Sequence, residues 1–107
     1  MKKLLVVFIA LISAAAFAQE VEFTVVNESG RDIHYLLVSP VEADQWNWED
    51  DEMLGEEIIA EGSSGAIRIQ SGAYDILAVD EYEDTYTFLE FTIRENDTLI
   101  ITADDLD

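Results

Sequence analysis

The chain of 107 residues contains no cysteine, one proline, one histidine and two lysines, and both lysines lie within its first three residues. Without cysteine the protein cannot form disulfides, thiolate nucleophiles or zinc–sulfur sites, and it lacks the residue through which a lipoprotein is anchored. A single histidine excludes a cluster of histidine ligands. The longest apolar run is too short for a bilayer, which needs about 18 residues or more. We therefore expect a soluble product without a lipid anchor or membrane insertion.

The first 18 residues have the layout of a secretory signal peptide. Lys2 and Lys3 form a basic start, the segment from Leu4 to Ala16 is apolar, and Ala16-Phe17-Ala18 places small residues where a signal peptidase reads them. This pattern predicts cleavage between Ala18 and Gln19. We expect a single mature domain of residues 19–107, exported to the periplasm or fully secreted.

The residues after position 18 are extremely acidic. Three arginines face 24 aspartates and glutamates there, which leaves a formal net charge of −21. Such a surface disfavours nucleic acids and anionic lipids, because both need basic residues to neutralise their phosphates. It favours divalent cations or a basic protein as partner. The alternative is a general adaptation to high salt, since net charge also governs solubility.

Short apolar segments separated by turn residues predict an all-β fold. Several alternate apolar and polar residues, and Asp32–Val38 and Tyr74–Val79 are apolar on both faces, which is typical of central strands. In Asp32–Val38, alternation places Ile33, Tyr35 and Leu37 on one face and His34, Leu36 and Val38 on the other. In Thr85–Ile93, it places Leu89, Phe91 and Ile93 on one face. The predicted strands are Val21–Val25, Asp32–Val38, Ile58–Ile59, Ala66–Gln70, Tyr74–Val79, Thr85–Ile93 and Thr98–Thr102. Six to seven such strands predict an antiparallel β-sandwich or a small barrel.

One short helical turn is expected after Ser39. Ser39-Pro40-Val41-Glu42 combines a capping serine, a proline at the first helical position and a glutamate three residues after the serine. This is the pattern of a capping box, and it predicts a turn of helix over about residues 40–46.

The order of these landmarks resembles a family of small exported bacterial β-sandwich proteins of unknown function. The resemblance spans most of residues 23–80, and the motifs that carry it are Val25-Val26-Asn27, Tyr35-Leu36-Leu37-Val38-Ser39-Pro40, a tryptophan loop ending in Leu54-Gly55, Ile67-Arg68-Ile69, Gly72 and Tyr74-Asp75-Ile76. It implies an exported β-sandwich and supplies no catalytic residues.

Two acidic runs are candidate cation sites. Hard cations such as Ca²⁺ bind six to eight oxygens, which carboxylate-rich loops can supply. The candidate metal ligands are Glu49, Asp50, Asp51, Glu52, Asp80, Glu81, Glu83 and Asp84. The alternative is that both runs are solvated loops. We predict at most weak calcium binding and no other cofactor.

Trp46 and Trp48 are the candidate ligand platform. On an extended segment they would point the same way and could stack on a sugar or peptide, whereas on a helical turn they would diverge. Burial of at least one of them is the alternative, since a tryptophan side chain buries a large area in a core.

The function predicted from the sequence is a non-enzymatic binding or structural module whose acidic loops face a cation or a basic protein. With 24 acidic residues, carboxylate pairs are inevitable and none is selected by its spacing. A carboxylate-based hydrolase is therefore an alternative without assigned catalytic residues. An inhibitor or adaptor of a basic enzyme is a further alternative, and the oligomeric state stays open.

Overall fold

Strands make up most of the described chain. The computed structural model describes residues 19–107, so the predicted signal peptide lies outside the described residues. The strands are β1 (Glu20–Glu28), β2 (Ile33–Pro40), β3 (Ser64–Gln70), β4 (Gly72–Asp80), β5 (Thr85–Ile93) and β6 (Asp97–Thr102). A one-turn helix, α1 (Trp48–Asp51), and a 3-10 turn at Ala103–Asp105 accompany them. Within residues 19–107, no helix is both long enough and apolar enough to cross a membrane.

The six strands form two three-stranded sheets, with the orders β3-β1-β6 and β2-β4-β5. In the first sheet β1 is antiparallel to β3 and parallel to β6, and in the second sheet both pairs are antiparallel. Apolar side chains from all six strands form one buried cluster between the sheets. The predicted all-β sandwich of short strands is thereby confirmed.

The alternation in β1 builds the centre of this core. Val21, Phe23 and Val25 are at most 2% exposed, while the residues between them face outward or are half-buried. Burying each such side chain stabilises the fold by roughly 1.5–3 kcal/mol. Asn27 takes the next inward position and is fully buried. Its Nδ2 donates to two carbonyl oxygens, one of which belongs to Ile59, at 2.8 Å, so the amide fastens a distant loop to the end of β1.

The structure corrects the position and the faces of β2. The strand was predicted to be central, but it lies at the edge of its sheet, and β4 is central. The pairing register shifts between Ile33 and Tyr35, at the half-buried His34. This bulge places Ile33 in the central cluster with Leu36 rather than on the face of Tyr35. The exposed edge is closed in part by Ile59, which exchanges two backbone hydrogen bonds of 3.0 Å with Ile33.

A second bulge corrects the predicted faces of β5. Tyr74 pairs with Phe91 but Ile76 pairs with Phe88, so two residues of β5 lie opposite Asp75 alone. Glu90 adopts a φ of 54°, a left-handed conformation, within this bulge. The extra residue moves Phe91 to the core side and leaves Leu89 68% exposed, so the prediction that these two share a face is wrong.

The helical turn after Ser39 is present, but it lies later than the capping box predicts. Ser39 and Pro40 belong to β2 and pair with β4, so Ser39 caps no helix. The turn is α1, and its cap is Asn47, whose Oδ1 accepts the N–H groups of Glu49 at 3.0 Å and Asp50 at 3.1 Å. Strand pairing through Pro40 holds the backbone extended, which overrides the local helical preference.

Candidate functional site

Asp80, the first residue of the acidic tip between β4 and β5, is an internal acceptor. It is 1% exposed. Its Oδ1 accepts the N–H groups of Tyr82 (2.9 Å) and Asp84 (3.0 Å), and its Oδ2 accepts the hydroxyl of Tyr86 (2.8 Å) and Nη1 of Arg31 (3.2 Å). Burial alone would raise the pKa of the Asp80 carboxyl, but these four donors favour the charged form more strongly and hold the pKa below its ordinary value.

The other carboxylates of the tip do not converge on Asp80. Asp84 Oδ2 accepts a hydrogen bond from Arg31 at 2.7 Å, and Glu81 Oε1 accepts the N–H of Asp32 at 3.0 Å. Glu83 is exposed and lies in a turn with a φ of 65°. Asp80, Glu81 and Asp84 therefore all accept hydrogen bonds within the protein, and Arg31 donates to two of the three.

The second acidic run, residues 49–52, also accepts hydrogen bonds from the chain, in the loop after β2. Glu52 accepts three backbone N–H groups, through Oε2 from Leu36 and Leu54 at 3.0 Å each and through Oε1 from Gly55 at 2.7 Å. The N–H of Met53 donates to the Leu36 carbonyl at 2.8 Å, so the loop is fixed to the open edge of β2.

The three preceding acids of this run, Glu49, Asp50 and Asp51, lie within α1. Asp51 is buried, and its Oδ2 accepts the N–H of Asn47 at 2.8 Å. Asp50 accepts a hydrogen bond from Asn47 Nδ2 at 3.1 Å, and Glu49 is exposed. Among residues 19–107, no group of three or more histidine, aspartate or glutamate side chains is placed to hold a metal ion. Calcium binding stays a prediction.

The tryptophan loop, residues 41–57, covers the outer face of the second sheet. On this face Leu37 pairs with Leu77 and Ser39 with Asp75. Leu37 is fully buried although it lies outside the central cluster. Its backbone pairs with that of Glu52, and α1 contacts β2. The loop therefore shields the Leu37 side chain from solvent.

The two tryptophans separate instead of forming one platform. The ring of Trp48, 52% exposed, meets the ring of Tyr35 edge-on, with centroids 5.5 Å apart. Trp46 is half-buried and lines an open pocket. No ring contact between Trp46 and Trp48 is found in the described part of the chain. Trp46 precedes the cap residue Asn47 and Trp48 is the first residue of α1, so the two tryptophans do not lie on one extended segment.

The pocket beside Trp46 combines a strand floor with a loop wall. Its volume is about 120 Å³. The lining residues come from β2, the tryptophan loop, β4 and β5: Ser39, Ala43, Asp44, Gln45, Trp46, Asp75 and Leu89. The apolar lining residues are a tryptophan, a leucine and an alanine, and the polar ones are two aspartates, a glutamine and a serine. This mixture suits a ligand with an apolar stem and a cationic head.

Two polar groups of the pocket have capacity for a ligand. Ser39 is 4% exposed, and no hydrogen bond of its hydroxyl is found among the described residues. Since no fully enclosed side-chain oxygen or nitrogen there lacks a partner, this hydroxyl opens to the pocket. Asp75 uses Oδ1 to accept the N–H of Glu90 at 2.9 Å, which leaves Oδ2 for another donor.

Sequence reasoning identified Trp46 but missed the residues across from it. The sequence predicts Ser39 as a helix cap, it places Asp75 in the motif Tyr74-Asp75-Ile76 without a role, and Leu89 belongs to no motif. Only the register of β2 with β4 and the bulge of β5 bring Ser39, Asp75 and Leu89 together. No signal in the sequence marks that bulge.

Comparison of the chain with protein-family models, with curated proteins and with solved structures found no match. The resemblance to exported β-sandwich proteins of unknown function therefore stays a prediction from the motifs.

Proposed function

We propose that residues 19–107 are an exported, non-enzymatic binding module whose partner is a basic protein. The observation that supports this most directly is that the few arginines pair with carboxylates of the same protein. Arg31 pairs with Asp80 and Asp84, and Arg68 Nε pairs with Glu20 at 3.0 Å. Two of the three arginines are thus neutralised within the molecule itself.

Among residues 19–107, the carboxylates outside these pairs form no ion pair. A negative field of this kind attracts positively charged molecules and accelerates their association. The hydrogen bonds within the two acidic runs favour a protein partner over a metal ion, because Asp80, Asp51 and Glu52 already accept hydrogens from the chain. A positively charged protein surface is attracted by the summed negative field of the carboxylates. It does not require their oxygens to converge on one point, as a metal ion does.

Export is part of this proposal and rests on residues 1–18. A chain processed as their layout predicts begins at Gln19. Mass spectrometry of the product from the periplasm and the culture medium tests this, and an intact chain starting at Met1 that stays in the cytoplasm would contradict it.

An inhibitor or adaptor of a basic enzyme is one form of a module that binds a basic protein. The carboxylate-based hydrolase stays a prediction.

The binding proposal is tested with the immobilised protein and a panel of basic, neutral and acidic proteins of matched size. We expect saturable binding of basic members alone, with affinity falling steeply between about 0.01 and 0.15 M salt, because the Debye length shrinks from about 30 to about 8 Å over that range. An unrelated acidic protein of similar charge is the control for unspecific attraction. Failure of every basic protein to bind at low salt, or binding insensitive to salt, would contradict the proposal.

A further inference from the structure

We infer that the pocket beside Trp46 receives the guanidinium group of an arginine side chain presented by the partner. This inference rests on the proposed function and assigns a specific contact to it. The argument starts from the pocket itself and not from the net charge, because acidic residues alone define no site.

The Ser39 hydroxyl is the first observation that points to a ligand. The hydroxyl oxygen reaches the pocket, where water or a ligand can bond to it, because no fully enclosed side-chain oxygen or nitrogen among residues 19–107 lacks a partner. Ser39 lies on the floor of the pocket, its side chain is buried, and no protein group among the described residues bonds to its hydroxyl. A donor on the ligand would supply the missing partner.

The carboxylates determine the charge of that donor. Asp75, whose Oδ1 alone accepts a hydrogen bond among residues 19–107, and the exposed Asp44 both line the same pocket. Neither residue has an ion pair within residues 19–107. A cationic head would therefore meet two negative charges and one hydroxyl acceptor, whereas an anionic or neutral ligand would leave both carboxylates uncompensated.

The apolar part of the pocket selects arginine over lysine. A guanidinium is planar, stacks on an indole and presents several N–H groups in fixed directions, so it can contact a tryptophan face and separate oxygen acceptors together. Trp46 offers the aromatic surface, and Leu89 offers contact for the aliphatic stem. An ammonium group is a compact charge that is more strongly hydrated.

The size of the pocket indicates that the ligand is one side chain of a larger partner. Sites for whole small molecules and cofactors have volumes of about 300–1,000 Å³. This pocket has about 120 Å³. The bulge at Leu89 and Glu90 supports the same assignment, since bulges redirect side chains and often lie beside functional sites.

The test uses the full chain, produced with its own residues 1–18, and three matched probes: N-acetyl-arginine amide, the lysine amide and the citrulline amide, which has the shape of arginine without its charge. Proton–nitrogen correlation spectra report the indole N–H groups and the backbone amides. We expect saturable shifts at Trp46, Asp75 and Leu89 with the arginine probe and weaker ones with lysine. Equal responses to arginine and citrulline, or shifts that avoid the pocket, would overturn the inference.

Two variants separate binding from folding. In Asp75→Asn the residue keeps Oδ1 for the Glu90 N–H but loses the charge, and we expect arginine affinity to fall by about tenfold. Ser39→Ala should weaken binding about threefold without reducing the melting temperature, because the hydroxyl has no protein partner to lose. Glu57→Gln is the control, an exposed acid of the tryptophan loop outside the pocket lining. An Asp75→Asn affinity no lower than that of Glu57→Gln would contradict the assignment.

The outcomes distinguish this inference from the proposed function. If basic proteins bind with the expected salt dependence while Asp75→Asn and the arginine probe show no pocket effect, the function stands and the arginine site is wrong. If the arginine probe occupies the pocket but no basic protein binds, the site stands and the protein partner is wrong.

Discussion

At the scale of single residues, the structure assigns the acidic side chains to different tasks although their chemistry is the same. Asp80 is buried with four donors around it, while Asp84, four residues later, is half exposed and shares only Arg31 with it. The sequence shows both as members of one acidic tip. It does not reveal which carboxylate is internal, because that depends on Arg31 in the β1–β2 connection and on Tyr86 in β5.

The Asp80→Asn substitution tests the internal role. An amide retains Oδ1 for the two backbone N–H groups but loses the negative oxygen that accepts Tyr86 and Arg31. We expect a loss of about 1–3 kcal/mol in the free energy of unfolding, measured in urea at neutral pH. Asp84→Asn, which breaks the more exposed pair with the same arginine, is the matched control and should cost less than about 1 kcal/mol. Equal losses for the two variants would contradict the internal role of Asp80.

The lowered pKa of Asp80 predicts how the difference in the free energy of unfolding between the wild type and Asp80→Asn depends on pH. Stabilisation by a carboxylate whose folded-state pKa is depressed is complete above the unfolded value, 3.8, and disappears as the pH falls through the lower folded-state value. The gap between the wild type and Asp80→Asn should therefore be full at neutral pH and shrink below about pH 3.8. A gap that is unchanged in acid would show that the charge of Asp80 is not what stabilises the fold.

At the scale of elements, the apolar pattern predicts strands well and their faces less well. Six of the seven predicted segments lie in strands, except that Asp32 precedes β2. The seventh, Ile58–Ile59, is not a strand, and only Ile59 pairs, in a single bridge with Ile33. The face assignments failed in β2 and β5, since each strand contains a bulge that shifts the alternation by one residue. Bulges arise from pairing between strands, so alternation along one strand cannot locate them.

Glu90 provides the test of the β5 bulge. A β-branched residue is favoured in an ordinary strand, but it is strained at a φ of 54°. We expect Glu90→Val to destabilise the protein by about 1 kcal/mol, because branching at Cβ adds to the cost that the glutamate side chain already carries in this conformation. Thr92→Val, at an exposed position of the same strand, is the control and should stay within about 0.5 kcal/mol of the wild type. Thermal unfolding measures both, and a Glu90→Val protein as stable as the control would exclude the left-handed conformation.

At the scale of the whole molecule, the charge of −21 acts on stability and association together. Repulsion between like charges destabilises the compact state, and dissolved salt screens it. Any salt should therefore raise the melting temperature, while a cation that binds the folded state adds a further rise by mass action.

Melting temperatures in calcium chloride and sodium chloride at matched ionic strength separate these effects. We expect equal rises, because Asp80, Asp51 and Glu52 already accept hydrogen bonds within the protein. A rise specific to calcium would instead establish the site that the acidic runs predict. Substituting residues 49–52 and 80–84 in turn would then show which run holds the ion.

The sequence alone determined the fold class, the extreme charge and the predicted route of export, because each depends on composition or on a local pattern. Strand alternation and turn residues are local properties, and so are net charge and the layout of residues 1–18. Only the tertiary structure decided which carboxylates are internal, where α1 forms and what faces Trp46. Ser39, Asp75 and Leu89 are distant in sequence, and they meet because β2, β4 and β5 pair in one particular register.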